Sequence, residues 1–422
     1  MKIGTKCVQG AYNPKNGDPR VLPLYQSTTY TYDTAEQLAF LFDSPKCGHI
    51  YSRISNPTVA AFEEKMAMLE GGVGAMACSS GMSATLFAVL TVATAGDNIL
   101  SLSTIYGGTY NLFSTTLPKL GIETRFISAK MTDKQIESLI DDRTKLVFGE
   151  TIANPSMDVL DFDRYANICK KHRIPFIVDN TLATPILVRP FEHGVNIVVH
   201  SSTKYLDGHA SCVGGIIVDA GNFEWKDNPR FKDFYTPDPS YHGTVYIEEG
   251  GAAAYVLKAR MQYMRDIGAQ MSPFNAYLTN LGSETLELRM ERHSQNALSV
   301  AKMLEKHSKV EWVRYPGLEN DKFHEVGQKY FKGGFSGMVA VGIKGGKEKA
   351  CKFMEALKMI KIVTHIADTR SCVLHPASTT HRQLSDNELI ECGIPNNLVR
   401  LSIGIESIED ILADIESALA SI

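Results

Sequence analysis

Between residues 57 and 270 of this 422-residue chain, short apolar β-branched runs alternate with amphipathic helical patterns. That alternation constrains the fold more than any other feature. Strand-like runs fall at 75–78, 98–103, 123–127, 145–149, 175–178, 195–200 and 213–218, with helical patterns such as 82–94 and 162–172 between them. Strands that are apolar throughout need cover on both faces, so the expectation is an α/β domain with a mainly parallel sheet. Ligands bind such sheets beyond the carboxyl ends of the strands. The flanks read differently. Residues 1–56 are rich in Gly, Pro, Asn, Ser and Tyr and show little periodicity. They are expected to form an extended arm with short turns, lying against another surface such as a partner subunit. Residues 271–422 open on a helical pattern at 284–307 and continue with strand-like runs at 310–314, 337–343, 362–366 and 398–403. They close on an amphipathic helix at 408–420. This predicts a smaller α+β domain.

Composition narrows the class. Hydrophobic residues make up 44% and charged residues 21%, enough for a large core. The net charge is −4 with no basic tail, which argues against a nucleic-acid surface. No stretch approaches the ~18 apolar residues of a membrane span. The opening MKIGTKCVQGAYNP lacks the apolar run of a signal peptide, and the eight cysteines include no C-x-x-C pair. Reduced thiols in a cytoplasmic protein are therefore expected, with no metal site.

Five segments just beyond the strands carry candidate chemistry. After 195–200 come Ser201-Ser202-Thr203-Lys204. A lysine there, desolvated or beside cations, becomes a nucleophile able to form a Schiff base, and the hydroxyls of Ser201 and Thr203 suit a phosphate. The run Pro175–Val178 ends in Asp179, a carboxylate of the kind that pairs a pyridine nitrogen. Ser79-Ser80-Gly81-Met82 opens a helix with small residues, as a phosphate at a helix N-terminus requires. Tyr106 in Tyr106-Gly107-Gly108-Thr109 offers a ring for stacking. Asn154 in Glu150-Thr151-Ile152-Ala153-Asn154 offers an amide for a phenolic oxygen. Each alone has an ordinary alternative: surface lysine, turn aspartate, helix cap, loop tyrosine, Asn-Pro turn. Their shared place at successive strand ends points to pyridoxal 5'-phosphate (PLP). The competing reading is a nucleotide-binding α/β module without PLP. Gly71-Gly72-Val73-Gly74 follows a helical pattern and precedes a strand, the wrong context for a dinucleotide fingerprint.

Together these segments resemble the γ-family of Cys/Met-metabolism PLP enzymes, of fold type I, over nearly the whole chain. The resemblance also rests on Tyr51-Ser52-Arg53 with Asn56-Pro57-Thr58, on Leu288–His293, on His375-Pro376-Ala377-Ser378, and on Val399-Arg400-Leu401-Ser402. It implies that Lys204 is the Schiff-base lysine, that Asp179 pairs the pyridine nitrogen and that Tyr106 stacks on the ring. Gly81, Met82, Ser201 and Thr203 would hold the phosphate, Asn154 would sit by the phenolic oxygen, and Arg400 would bind the substrate carboxylate. Tyr51 and Arg53 would reach the phosphate in a neighbouring subunit, which implies dimers that share active sites, paired into a homotetramer. Tyr51 would also act in catalysis and at the substrate.

Within the family, Thr236–Gly243 is similar to an insertion of the O-acetylhomoserine sulfhydrylases, and the loop Tyr106-Gly107-Gly108-Thr109 has Gly where methionine γ-lyases place cysteine. His365 stands where relatives place Asn or Ser beside the substrate carboxylate. The implied reaction is γ-replacement: O-acetyl-L-homoserine with sulfide or methanethiol gives homocysteine or methionine plus acetate, with Lys204 shuttling the protons. Methionine or cystathionine γ-lyase and cystathionine γ-synthase are the neighbouring alternatives.

Overall fold

The computed structural model describes residues 1–43, 48–380, 382, 389 and 393–422. Seven strands, β1 (Gly74–Cys78), β2 (Asn98–Leu102), β3 (Glu123–Ile127), β4 (Thr144–Glu150), β5 (Phe176–Asp179), β6 (Ile197–His200) and β7 (Gly215–Asp219), form one sheet in the order β1-β7-β6-β5-β4-β2-β3. The pairs among β2 to β6 are parallel, and β7 alone runs the other way, against both β1 and β6. Burial along β2, β6 and β7 is complete, which is why these strands read as continuous apolar runs. β3 lies at the sheet edge and keeps its first residues partly exposed. Six strands share one direction, so the segments that follow β1, β2, β4, β5 and β6 leave from the same edge.

Local signals set the helix that precedes β1. Asn56 caps Pro57–Glu70 by accepting the Thr58 and Val59 N–H groups, Pro57 begins it, and Gly71 ends it at φ +83°. The N-terminal segment departs from the expected extended arm, because Ile3–Gln9 and Ala35–Asp43 are helical. Helices this short show little periodicity and owe their stability to packing. Cys7 of the first is fully buried. The rest of the arm is tied down near Asn56: the Tyr25 N–H donates to Thr58 Oγ1 at 2.9 Å, and Asn56 Nδ2 donates to the Tyr25 carbonyl at 2.9 Å.

A second sheet holds β8 (Val310–Arg314), β9 (Met338–Ile343), β10 (Lys361–Ile362), β11 (Cys372–Leu374) and β12 (Leu398–Ser402), in the order β10-β11-β12-β9-β8. The strand expected at 362–366 shrinks to β10. Beyond it the chain leaves the sheet, and Thr364, His365 and Ile366 line a pocket instead. A separate apolar cluster lies between this sheet and the helices Leu286–Lys306, Gly346–Ala356 and Ile408–Ala420. The long helix clamps the two sheets together: Arg289 donates to the Tyr205 carbonyl at 2.7 Å, and His293 Nδ1 lies 2.7 Å from the Ile403 carbonyl. The six described cysteines are unpaired, while Cys47 and Cys392 lie outside the described residues. Among the described residues no helix is long and apolar enough to cross a membrane.

Candidate active site

The segments after β1, β2, β4, β5 and β6 meet β12 and the 364–366 segment around a cavity of about 360 Å³. Its walls bring together Gly81, Met82, Tyr106, Asn154, Asp179, Ser201, Thr203, Lys204, His365 and Arg400, ten of the residues singled out from sequence. Tyr51 and Arg53 are not among them. Tyr51 is 40% exposed, and Arg53 lies over its ring at 5.6 Å while donating to the Arg265 carbonyl.

One wall is the start of the helix Gly81–Leu90. Ser80 caps it in a reciprocal box with Ser83, whose N–H it accepts at 3.1 Å. The first-turn N–H groups of a helix have no intrahelical acceptor, and the first-turn residues Gly81 and Met82 line the pocket. Only glycine fits at position 81, since an added Cβ would sit 2.6 Å from the Ser201 Cβ and 2.8 Å from its Cα. Ser201 is fixed in turn, its N–H donating to Thr181 Oγ1 at 2.9 Å. Thr203 exchanges hydrogen bonds with the Gly214 backbone, both at 3.1 Å.

Lys204 lies in the turn after β6. Burial, with the Arg400 charge as the next cause, brings its ammonium pKa down to about 8. Its Nζ is 3.4 Å from His365 Nδ1. His365 therefore faces the lysine, and burial and that neighbour lower its pKa. Its Nε2 is 3.8 Å from Asp368 Oδ2.

Asp179 ends β5 and stands in register with Glu150 at the end of β4. Glu150 is buried and Asp179 is half-buried. Burial pushes both above the usual carboxylate range, and for Glu150 the facing charge of Asp179 adds to this. Asp179 is held toward the ionised form by the hydroxyl and N–H of Thr181 and by the charge of His200. Of the pair, Glu150 is the more strongly raised. Glu150 also accepts the Tyr106 N–H at 2.6 Å, which fixes where that ring begins its loop.

Arg400 stands in β12, only 4% exposed, and burial lowers its pKa to about 10. It donates to Asn154 Oδ1 at 3.2 Å and to the Thr364 carbonyl at 3.4 Å. Asn154 thus meets the arginine. The buried Arg400 Nε has no hydrogen-bond partner among the described residues. A guanidinium with a free buried donor is a ready partner for a carboxylate.

Sequence reading passed over Glu150 and Thr181. Glu150 opens the segment that holds Asn154, and both follow or end strands, the signal that found Asp179. What hid them is that their partners, Tyr106 and Ser201, lie on other loops.

The donor set fits PLP. A glycine-only helix start beside two hydroxyls suits a phosphate, a half-buried carboxylate suits a ring nitrogen, and a low-pKa lysine suits covalent attachment.

The model of the family described as Cys/Met metabolism PLP-dependent enzyme matches residues 4–420. The chain is 46% identical to the O-acetyl-L-homoserine sulfhydrylase of Leptospira meyeri, across 100% of this chain and 97% of that one. It is 46% identical to the homocysteine synthase of Schizosaccharomyces pombe, across 95% and 94%. It superposes with TM-score 0.96 and 38% identity on a Campylobacter jejuni structure described as an O-acetylhomoserine (thiol)-lyase, each chain covered completely. That structure contains a pyridoxyl-lysine monophosphate. A sulfur amino-acid site of this architecture, matched from end to end, places the chain in the Cys/Met-metabolism family of PLP-dependent enzymes.

Proposed function

We propose that the protein performs γ-replacement on O-acetyl-L-homoserine, adding sulfide or methanethiol and releasing acetate, so that homocysteine or methionine forms. The observation that carries this reading is the single pocket in which Lys204, Asp179 and Tyr106 face Arg400 across the two sheets, in a chain whose relatives include named O-acetylhomoserine sulfhydrylases. Lys204 would hold the cofactor covalently, Asp179 its ring nitrogen, Tyr106 its ring face, Asn154 its phenolic edge, and Gly81, Met82, Ser201 and Thr203 its phosphate. When bound, PLP supplies an electron sink for charge developing next to the amino group of the substrate.

The rest follows from the residues themselves. Arg400 binds the α-carboxylate through its unfilled donor and sets the Cα–H toward Lys204. With an ammonium pKa of about 8, Lys204 keeps a sizeable neutral fraction near neutrality. It takes the α-proton and then handles the β-proton as acetate departs from Cγ. His365, adjacent to it, orients the lysine amine and borders the substrate carboxylate. The placement of Tyr51 and Arg53 on the surface, outside their own pocket, supports a dimer in which each arm completes the partner's site. Two such dimers make a homotetramer, and the setting is the cytoplasm.

The test is product analysis. Enzyme loaded with PLP is given O-acetylhomoserine with sulfide, methanethiol or cysteine in turn. Homocysteine or methionine matching acetate mole for mole is expected. A 2-oxo acid and ammonia released from methionine, without homocysteine synthesis, would reassign the activity to γ-elimination. Cystathionine as the preferred product would reassign it to γ-synthase.

A further inference from the structure

Beneath the pocket runs a row of polar side chains that the reaction does not touch. Side chains alternate across a strand, so the residues after Glu150 and Asp179 and the residue before Ser201 face away from the cavity. These are Thr151, Asn180 and His200, at the ends of the adjacent strands β4, β5 and β6. Thr151 Oγ1 donates to Asn180 Oδ1 at 2.8 Å. Asn180 Nδ2 donates to Glu70 Oε1 at 2.9 Å and to the Val188 carbonyl at 3.0 Å. His200 Nε2 lies 2.6 Å from the same Glu70 oxygen. Thr151, Asn180 and Glu70 are 0% exposed and His200 is 1% exposed.

Such a row is an expensive way to fill space. Glu70 Oε2 and His200 Nδ1 are buried without a hydrogen-bond partner among the described residues. Well-packed apolar side chains commonly give equal or greater stability than a buried ionisable pair. The row does something apolar residues cannot: it ties three strand ends together by directional bonds one residue from three groups of the site. It also places an imidazole near Asp179, where its charge favours the ionised carboxylate.

We propose that Glu70, His200 and Asn180 are positioning residues for the cofactor site, holding Asp179, Glu150 and Ser201 in register and setting the electrostatic environment of Asp179 from behind the sheet. Glu70 is the hub, because it stands on the helix Pro57–Glu70, outside the sheet, and accepts from two strands at once. The reading goes beyond the γ-replacement proposal and rests only on the presence of PLP. Its test measures cofactor binding, so it stands or falls independently of the acyl group and the thiol.

The experiment compares Glu70→Gln, which keeps an acceptor oxygen for Asn180 but removes the charge, with Glu70→Leu and Thr151→Val. Apoenzyme of each is titrated with pyridoxal phosphate while the visible absorbance and circular dichroism of the bound cofactor are recorded, and Tm is measured alongside. Glu70→Gln is expected to weaken binding on the order of tenfold, the ratio to which one lost hydrogen bond to a charged group amounts, and to alter the dichroic band. Glu70→Leu should lose more, and Thr151→Val should lose less while moving the band in the same direction. Wild-type affinity and an unchanged band in Glu70→Gln and Thr151→Val, with only Tm lowered, would reduce the row to a stability element and overturn the proposal. If the Glu70 variants do not fold, Thr151→Val decides alone by the same criterion.

Discussion

Replacing Gly81 by alanine is the sharpest test of the phosphate wall. The added methyl would lie 2.6 Å from the Ser201 Cβ, 2.8 Å from its Cα and 2.9 Å from its Oγ. Carbon contacts prefer roughly 3.5–4.0 Å, so about 1 Å must be found. Ser201 cannot retreat without breaking its bond to Thr181 and disturbing the end of β6. The helix Gly81–Leu90 cannot retreat easily either, because its buried side chains pack over β6 and β7. Overpacking of this kind costs about 1–3 kcal/mol. The displacement also separates the Gly81 and Met82 N–H groups from the Ser201 hydroxyl, the two sides of the proposed phosphate site. Loss of one hydrogen bond to a charged group is worth about 1.5–3 kcal/mol, or roughly 10- to 150-fold in affinity. Apoenzyme titrated with pyridoxal phosphate should therefore bind it about 10- to 100-fold more weakly, with a lowered Tm even before cofactor is added. Adding Ser201→Gly removes two of the three clashing atoms and should restore part of the apoenzyme Tm without restoring affinity, since the hydroxyl is gone. A Gly81→Ala protein that loads like the wild type and melts at the same temperature would refute the close approach and the phosphate assignment together.

Three further outcomes are expected. Arg400→Lys keeps the charge but loses the planar fork, so KM for the amino-acid substrate should rise about tenfold or more while PLP binding is spared; an unchanged KM would remove Arg400 from the carboxylate site. Covalent loading of apoenzyme needs the neutral Lys204 amine, so its rate should climb with pH and level off above about 8, rather than near the ~10.4 of a free lysine; stopped-flow absorbance gives the profile. Asp219, at the end of β7, is raised to about 7, chiefly by burial. The native state therefore binds more protons than the unfolded state between about 4 and 7, and the contribution of this group is most favourable below about 4 and declines as pH rises to about 7. At most about 4 kcal/mol is lost this way, and Asp219→Asn should flatten that part of a denaturation-versus-pH curve; an equally steep curve for the variant would show that another group carries the effect.

What could be read from sequence, and what could not, divides along a physical line. Lys204, Asp179, Tyr106, Asn154 and Gly81 were found because a parallel sheet puts its ligand edge where its strands end, so a position along the chain becomes a position in space. The same rule gave eight of the twelve named residues a common pocket, while Arg400 and His365, which reach it from the second sheet, were named from the family resemblance. It failed where short range and long range disagree. Ile3–Gln9 has too few residues to show a period, so the segment was expected to be extended. Residues 363–366 have the β-branched composition of a strand, yet the chain turns into the cavity and leaves only Lys361–Ile362 in the sheet. The contact of His365 with Lys204, 161 residues away, was likewise not legible in the chain. Glu70 was beyond reach altogether: nothing near it in sequence hints that Asn180 and His200, more than a hundred residues away, will meet it in the core. Residues that touch ligand are therefore legible from the topology they terminate. Residues that hold those residues in place become legible only when the strand ends have been set side by side, and Glu70 is the case that separates the two.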